Sequence, residues 1–443
     1  MTTDRAAHDE GWRRAHRERA ALTMLRSRRL SDERMIPVPD APGGRAVFTI
    51  MLVGWTVLVA GILRHRVYVS HDSMSNYAHV WYVATRVRHG HGIPFHMPPL
   101  ARGEAYAFPY GFVPWMSGAV AWLAVGEWAV TLWLVVGGVA LAVAFLWALP
   151  ELGRGWWAAA VLVNPVFVLS VIVGQVPFLW GAALLVFGVG CWRRDRRVAA
   201  TILVALGQAT HPAIVAPLGL LVVLAWVRFE RDRRALLVHY LVAVVLTVPA
   251  VIVVFISPVT RDTSTATALW EFLITLDVRF FVLAVPIALV LIAGRTRPYL
   301  GPPAFALLLV LNLVLMAPLD SRYAWGALTR DPSPDALEFL SSPEFDRAAT
   351  YRLLRAYDGK VAMYQLMRAG GRLDSEMFPE SVNQRSFADV DRYAQFLRDR
   401  RVDVVWIWAS YDKSFRTNEH ALLDRLAVDG EACGRGLVGV RLV

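Results

Sequence analysis

Residues 127–149 read EWAVTLWLVVGGVALAVAFLWAL. After the opening glutamate no charge occurs through Leu149. A helix needs about 20 consecutive apolar residues to cross a hydrocarbon core some 30 Å thick. This stretch is long enough. Segments of similar character stand at 46–63, 155–173, 176–192, 198–210, 212–227, 236–257, 279–293 and 300–317. One or two such runs could be buried core helices, but nine in succession exclude an ordinary soluble fold.

Composition agrees. The chain has 443 residues, 56% of them hydrophobic, against roughly 45–50% for a soluble domain. The excess lies between residues 46 and 318, and residues 319–443 have soluble character. The formal net charge is +10. In a soluble protein that would suggest nucleic acid. Here the arginines cluster between apolar runs, as cytoplasmic loops facing anionic lipid do. A lipid bilayer is therefore the expected partner and nucleic acid is not. Cys191 lies in an apolar run and Cys433 in the tail, so no disulfide framework is expected. Residues 1–45 form a basic tail, and 46–63 reads as a retained anchor.

Charge sets the expected topology. The clusters Arg193–Arg197, Arg228–Arg234 and Arg295 with Arg297 are expected on the cytoplasmic side, with the N-terminal tail. The span 46–63 then delivers the loop 64–107 outside. Parity fails if 108–125 (FPYGFVPWMSGAVAWLAV) also crosses. It is short, carries Pro109 and Pro114, and holds the interface-favouring Trp115 and Trp122. It is therefore expected as an outer-face interfacial or re-entrant helix. The reading is an α-helical polytopic protein of about nine to ten spans in the plasma (inner) membrane. Its N-terminus is cytoplasmic and a small α/β domain at 319–443 is extracytoplasmic. Segments 198–210 and 212–227 are thin for full spans. Within the domain, helices are expected at 334–341, opened by Ser333-Pro334-Asp335, at 387–400, capped by Ser386, and at 418–427. Strands are expected at 402–408 and 437–442.

The outer loop holds the chemistry-bearing residues. His71, His79, His89, His91 and His96 account for five of eleven histidines. Their spacing matches no tight metal signature, so a solvated or interfacial loop that simply tolerates histidine is the preferred reading over a metal site or an acid/base cluster. Asp72 follows the first span closely and precedes Ser73, Asn76 and Tyr77; Glu104 lies further on. A carboxylate there could take a proton from a sugar hydroxyl, or be a surface aspartate.

Several stretches resemble the GT-C superfamily of membrane glycosyltransferases, in its polyprenyl-phosphate-dependent, mannosyltransferase-like branch. SHDSMSNYAHVWYVATRVRHGHGIPF at 70–95 is similar to that family's acidic residue, helix and Gly-Pro turn. FPYGFVPW at 108–115 resembles its entry to the interfacial helix. NPVFVLSVIVGQVPFLWG at 164–181 and GQATHPAIVAPLGLL at 207–221 resemble the paired helices that follow, and Arg322-Tyr323 an Arg-Tyr pair near the donor phosphate. The likeness covers about residues 46–325. It implies a GT-C-like fold with Asp72 as catalytic base in an inverting displacement, and Arg322, His211 and Tyr323 at the donor phosphate. It places His71, Gln175 and Glu104 at sugar or acceptor. By position alone Gln175 reads rather as the cap of a tight helix hairpin, and Arg322 could be an arginine snorkelling at a helix end. The family's two-acid motif is one acid here, and a divalent metal (Mg or Mn) is the one cofactor the resemblance leaves open.

The implied function transfers a sugar such as mannose or arabinose from a polyprenyl-phosphate donor to an extracytoplasmic glycan or lipid acceptor. In that reading the C-terminal domain contacts the acceptor or an envelope protein. Two alternatives are a non-catalytic envelope scaffold and a lipid or polysaccharide transporter. A transporter predicts paired repeats with interrupted helices, and no internal symmetry is evident.

Overall fold

The computed structural model describes residues 43–70, 72–150, 155–228, 230–257, 301–316, 340, 343, 345–353, 356–374, 386–408, 418–426, 429–433 and 437–441. The span expected at 279–293, the Arg295 and Arg297 cluster and the capping run Ser333-Pro334-Asp335 lie outside them.

Helix α1 (Gly44–Leu63) leads into the outer-loop helix α2 (Ser73–Arg88), followed by α3 (Phe112–Val125) and α4 (Trp128–Ala148). Next come α5 (Trp156–Leu162), α6 (Pro165–Val173), α7 (Val176–Arg193), α8 (Arg197–Thr210), α9 (Pro212–Val227), α10 (Arg233–Ile256) and α11 (Gly301–Met316). Among the described residues α1, α4, α7, α10 and the combined Trp156–Val173 are long and apolar enough to cross a membrane. Helices α8 and α9 are shorter apolar helices. At 1.5 Å per residue they reach only about 21–24 Å, as their thin sequence segments suggested. The segment 155–173 is broken at Asn164-Pro165 into α5 and α6, because proline cannot donate to the preceding turn.

Two ends of the bundle can be told apart. At one, Arg193 Nη1 donates to the Ala148 carbonyl at 2.8 Å and Arg194 Nη2 to that of Trp147 at 2.8 Å. Two of the sequence clusters, Arg193–Arg197 and Arg228–Arg234, fall here, with Arg197 paired to Asp232 at 2.9 Å. Asp232 also caps α10 by accepting from Ala235 N–H. At the other end lie Asp72, the turn between α6 and α7, and the start of α9. Both ends of α3 are on this second side. Gly111 N–H donates to the Thr210 carbonyl at 2.7 Å, and past Val125 the Glu127 carboxylate meets Arg66 at 3.0 Å. So α3 does not cross the bundle, which is the arrangement that span parity required.

Helices α7 and α8 pack closely through Gly181 and Gly207. A Cβ on Gly207 would sit 2.7 Å from the Gly181 carbonyl oxygen. Small residues at such a crossing let backbones approach where lipid removes the hydrophobic drive for association. On α1 and α10, Ile50, Val53, Val57, Leu241, Val245 and Phe255 are exposed, the surface expected to face lipid tails.

The C-terminal region builds a sheet. Strands β1 (Thr350–Leu353), β2 (Arg372–Leu373), β3 (Val404–Trp408), β4 (Asp429–Cys433) and β5 (Leu437–Arg441) lie in the order β2-β1-β3-β5-β4. The β1 strand pairs in parallel with β2 and β3, while β5 is antiparallel to both β3 and β4. Helices α12 (Ala356–Ala369), α13 (Val390–Asp399) and α14 (Glu419–Leu423) accompany it. The α/β expectation holds, with one local correction. Helix α13 is capped by Asp389, which accepts from Arg392 N–H at 2.8 Å, and not by Ser386. Asn418 instead binds the N–H and carbonyl of Phe387, at 2.9 and 2.7 Å, which holds the chain extended there and delays the helix.

One apolar core joins this sheet to the outer loop. Met74, Tyr77, Val80, Trp115 and Ala129 share it with Tyr351, Met363, Tyr364, Met367 and Trp406. The sheet domain is thereby fastened to the Asp72 end of the bundle.

Candidate active site

Asp72 stands at the N-cap position of α2, yet its carboxylate makes no capping hydrogen bond. An N-cap aspartate is worth about 1 kcal/mol when it caps. Here the side chain turns outward from the helix, and its Oδ2 accepts from Gln175 Nε2 at 2.9 Å. Gln175 is 7% exposed and sits in the tight turn between α6 and α7. Its Oε1 accepts from Ser170 Oγ at 3.1 Å, which directs the amide nitrogen at Asp72.

The backbone around this pair is stitched together. Asp72 N–H donates to the Val173 carbonyl at 2.9 Å. Tyr68 Oη and Ser70 Oγ donate to the carbonyls of Ile172 and Val173, at 2.7 and 2.8 Å. Asn76 Nδ2 donates both to the Asp72 carbonyl at 2.8 Å and to the Gly174 carbonyl at 3.1 Å. Its Oδ1 accepts from Trp115 Nε1 at 2.7 Å. One buried amide thus ties three segments together with its donors and acceptor occupied, which is what burial of polar atoms requires. Gly174 has φ +83°, and a Cβ there would lie 2.4 Å from Ser70 Oγ. Only glycine fits that left-handed turn so close to the outer loop.

Beneath this network His79 stacks on Trp115, ring centroids 4.2 Å apart. Its Nδ1 lies 2.9 Å from the Ala107 carbonyl, which fixes the proton there, and Nε2 is buried without a partner among the described residues. Burial lowers its pKa to about 4, with the Ala107 hydrogen bond opposing, so it is neutral at ordinary pH.

His211 completes the surroundings. It follows α8 directly, 5.3 Å from the Tyr110 ring and 6.1 Å from Phe178 in the first turn of α7. Asp72, Gln175 and His211 therefore lie at the same end of the bundle, the first two joined by a hydrogen bond and His211 packed on Phe178 of α7. Glu104 stands apart in the turn following Ala101–Gly103, 3.9 Å from Arg102 Nη2. The remaining loop histidines are dispersed. His89 and His91 are neighbours at 6.2 Å, while His96 lies against Tyr106 at 4.8 Å. His71, Arg322 and Tyr323 lie outside the described residues.

Among the described residues the donors around Asp72 do not assemble a Mg or Mn site. Such ions need several oxygen ligands in near-octahedral array, whereas Asp72 Oδ2 already faces an amide nitrogen. Among the described residues no group of three His, Cys, Asp or Glu side chains is arranged to hold a metal. Sequence reading singled out Asp72, Gln175 and His211 but gave no role to Asn76. The signal was available in the spacing: Asn76 lies one helical turn after Asp72, on the same face.

No family model matches the chain, and no curated protein matches it by sequence. Two solved structures are similar to it. One is ArnT from Cupriavidus metallidurans bound to undecaprenyl phosphate, at 14% identity and a TM-score of 0.31, covering 90% of this chain and 98% of that one. The other is the Archaeoglobus fulgidus oligosaccharyltransferase in complex with Zn and sulfate, at 13% identity and a TM-score of 0.45, covering 89% of this chain and 73% of that one.

Proposed function

We propose that the chain is an integral membrane glycosyltransferase that uses a polyprenyl-phosphate sugar donor, with Asp72 as general base. The observation that carries this reading is the Gln175–Asp72 hydrogen bond. A helix-start carboxylate forgoes its cap and is held instead by an amide N–H donor, which fixes the direction in which it points. The sequence resemblance of the surrounding motifs supports the same assignment.

In this reading Asp72 accepts the proton of an acceptor hydroxyl. The freed oxygen forms the new bond to the anomeric carbon from the face opposite the donor phosphate. The bond from that carbon to the phosphate oxygen breaks, and polyprenyl phosphate departs with the electron pair. The transition state has oxocarbenium character, as glycosyl transfers generally do. The departing phosphate needs positive charge or hydrogen-bond donors, roles assigned to Arg322, Tyr323 and His211. Tyr110 and Phe178 hold the His211 ring in place for this. Gln175 orients the base, while His71 and Glu104 are assigned to the sugar or acceptor. The Asp72 end is then extracytoplasmic, and the arginine-rich end cytoplasmic. Mannose and arabinose are the first donors to try, with a glycan or lipid acceptor.

The test is transfer in nanodiscs from a panel of polyprenyl-phosphate sugars, with Asp72→Asn alongside. General bases contribute about 10²–10⁴-fold, and a loss of that size in a folded variant is expected. Equal transfer by Asp72→Asn removes Asp72 from the mechanism. No transfer from any donor by the folded protein would favour a scaffold, and lipid movement across liposomes without a glycosidic bond a transporter.

A further inference from the structure

A polar cleft of about 330 Å³ opens at the far end of α2 from Asp72. That volume is at the small end of the range for ligand pockets, about 300–1,000 Å³. Its walls come from four parts of the chain. Trp81, Thr85 and Arg88 belong to α2, Trp122 and Glu127 to the end of α3 and the turn after it, and Arg66 and Arg368 approach from either side.

Charge in the cleft is unbalanced. Three arginines face one carboxylate. Glu127 is 12% exposed in its side chain and holds both Arg66, at 3.0 Å, and Arg368. It also accepts from Tyr364 Oη at 2.9 Å. This carboxylate acts as a clamp that fixes two guanidinium groups without consuming them. Among the described residues Arg66 is bonded through Nε alone and Arg368 through Nη1, and their side chains are 67% and 51% exposed. Arg88 has no ion pair or hydrogen bond among the described residues. A fork of guanidinium N–H groups held in fixed geometry matches carboxylate or phosphate.

We infer that this cleft is an exosite for an anionic saccharide, one bearing carboxylate or phosphate, and that it holds the acceptor chain away from the reacting end. The inference rests on the proposed transfer at Asp72. At 1.5 Å per residue, Thr85 lies about 20 Å along α2 from Asp72. A single sugar cannot bridge that distance, but a chain of several linked rings can. The mixture of lining groups favours a sugar over a lipid headgroup. Thr85 offers a hydroxyl partner for sugar hydroxyls beside the anion-binding arginines, and Trp81 adds an apolar ring face. The Arg368 wall comes from the sheet domain, so the cleft forms only where that domain meets the loop.

The test is calorimetric titration of the full chain in phosphatidylcholine nanodiscs. The probes are a tetragalacturonate, its uncharged methyl ester, inorganic phosphate, and nanodiscs doped with phosphatidylglycerol. The expected result is saturable, salt-sensitive binding of the tetragalacturonate and not of its ester. Arg88→Gln and Arg66→Gln should each weaken it at least about tenfold; Arg88 is exposed, so its loss leaves the fold intact. Asp72→Asn should bind as the parent does, which separates the cleft from the proposed reaction. Equal binding of the ester, no saccharide binding, or indifference to both arginine substitutions overturns the inference. Binding of phosphate alone would make the cleft a free-anion site, and a response only to phosphatidylglycerol a lipid site; either result also overturns it.

Discussion

Acid should loosen the outer loop through His79. The ring is buried against Trp115, and burial lowers its pKa from 6.5 to about 4. Between those values the unfolded chain takes up a proton that the folded chain refuses. Stability therefore falls as pH drops below about 6.5, and levels off below about 4. With the folded pKa near 4, the loss at pH 4.5 is on the order of 2–3 kcal/mol, most of the range available to this group. His79→Phe keeps an aromatic ring on Trp115 and removes the titration, at the cost of the Ala107 hydrogen bond. Thermal midpoints of both proteins, measured in one detergent from pH 7.5 to 4.5, give the comparison. The variant should start lower at pH 7.5, and its midpoint should fall less steeply on acidification. Parallel pH curves for the two proteins would refute the reasoning, because they would mean that His79 protonates in place.

Replacing Gln175 by leucine should slow transfer about 10- to 100-fold, since a hydrogen bond to a charged group is worth about 1.5–3 kcal/mol; an unchanged rate would show that Asp72 needs no orienting partner. Gly174→Ala should lower the thermal midpoint, because the added methyl meets Ser70 Oγ at 2.4 Å in a left-handed turn; a neutral result would mean that the α6–α7 turn gives way. Arg352 is fully buried between Glu419 and Asp374, at 2.7 and 2.8 Å. Arg352→Met should destabilise the sheet domain by about 3–5 kcal/mol, because two buried carboxylates lose the guanidinium they share. Limited proteolysis should show that domain cleaved first, and parental resistance would contradict it.

Hydropathy made the bundle legible because lipid imposes length and apolarity on every span. Charge made the parity problem visible, and Pro109, Pro114 and the tryptophans pointed to its solution in α3. The sheet domain was less legible. Thr350–Leu353 is short and contains Arg352, whose burial becomes reasonable only once Glu419 and Asp374 are brought to it. Ser386 looked like a cap because local sequence cannot reveal that Asn418 engages the neighbouring Phe387 backbone. At the site, Asp72 stood out as the acid of the loop. Its partner Gln175 lies 103 positions away, and no local periodicity encodes a contact set by helix packing. Trp115 read as an interfacial anchor. It is fully buried because Asn76 Oδ1 supplies the acceptor its indole N–H requires.

The core shared by loop and sheet domain bears on how the protein is made. Glu127 waits for Tyr364, 237 residues later in the chain. At about 5–20 residues per second of synthesis, that interval is about 10–50 s. Throughout it, the loop helix has emerged from the ribosome while Met363, Tyr364 and Met367, which cover its apolar face, do not yet exist. A nascent loop of this kind is a natural client for a chaperone on its side of the membrane. A chain truncated before residue 356 should insert its helices normally and then be degraded from the loop.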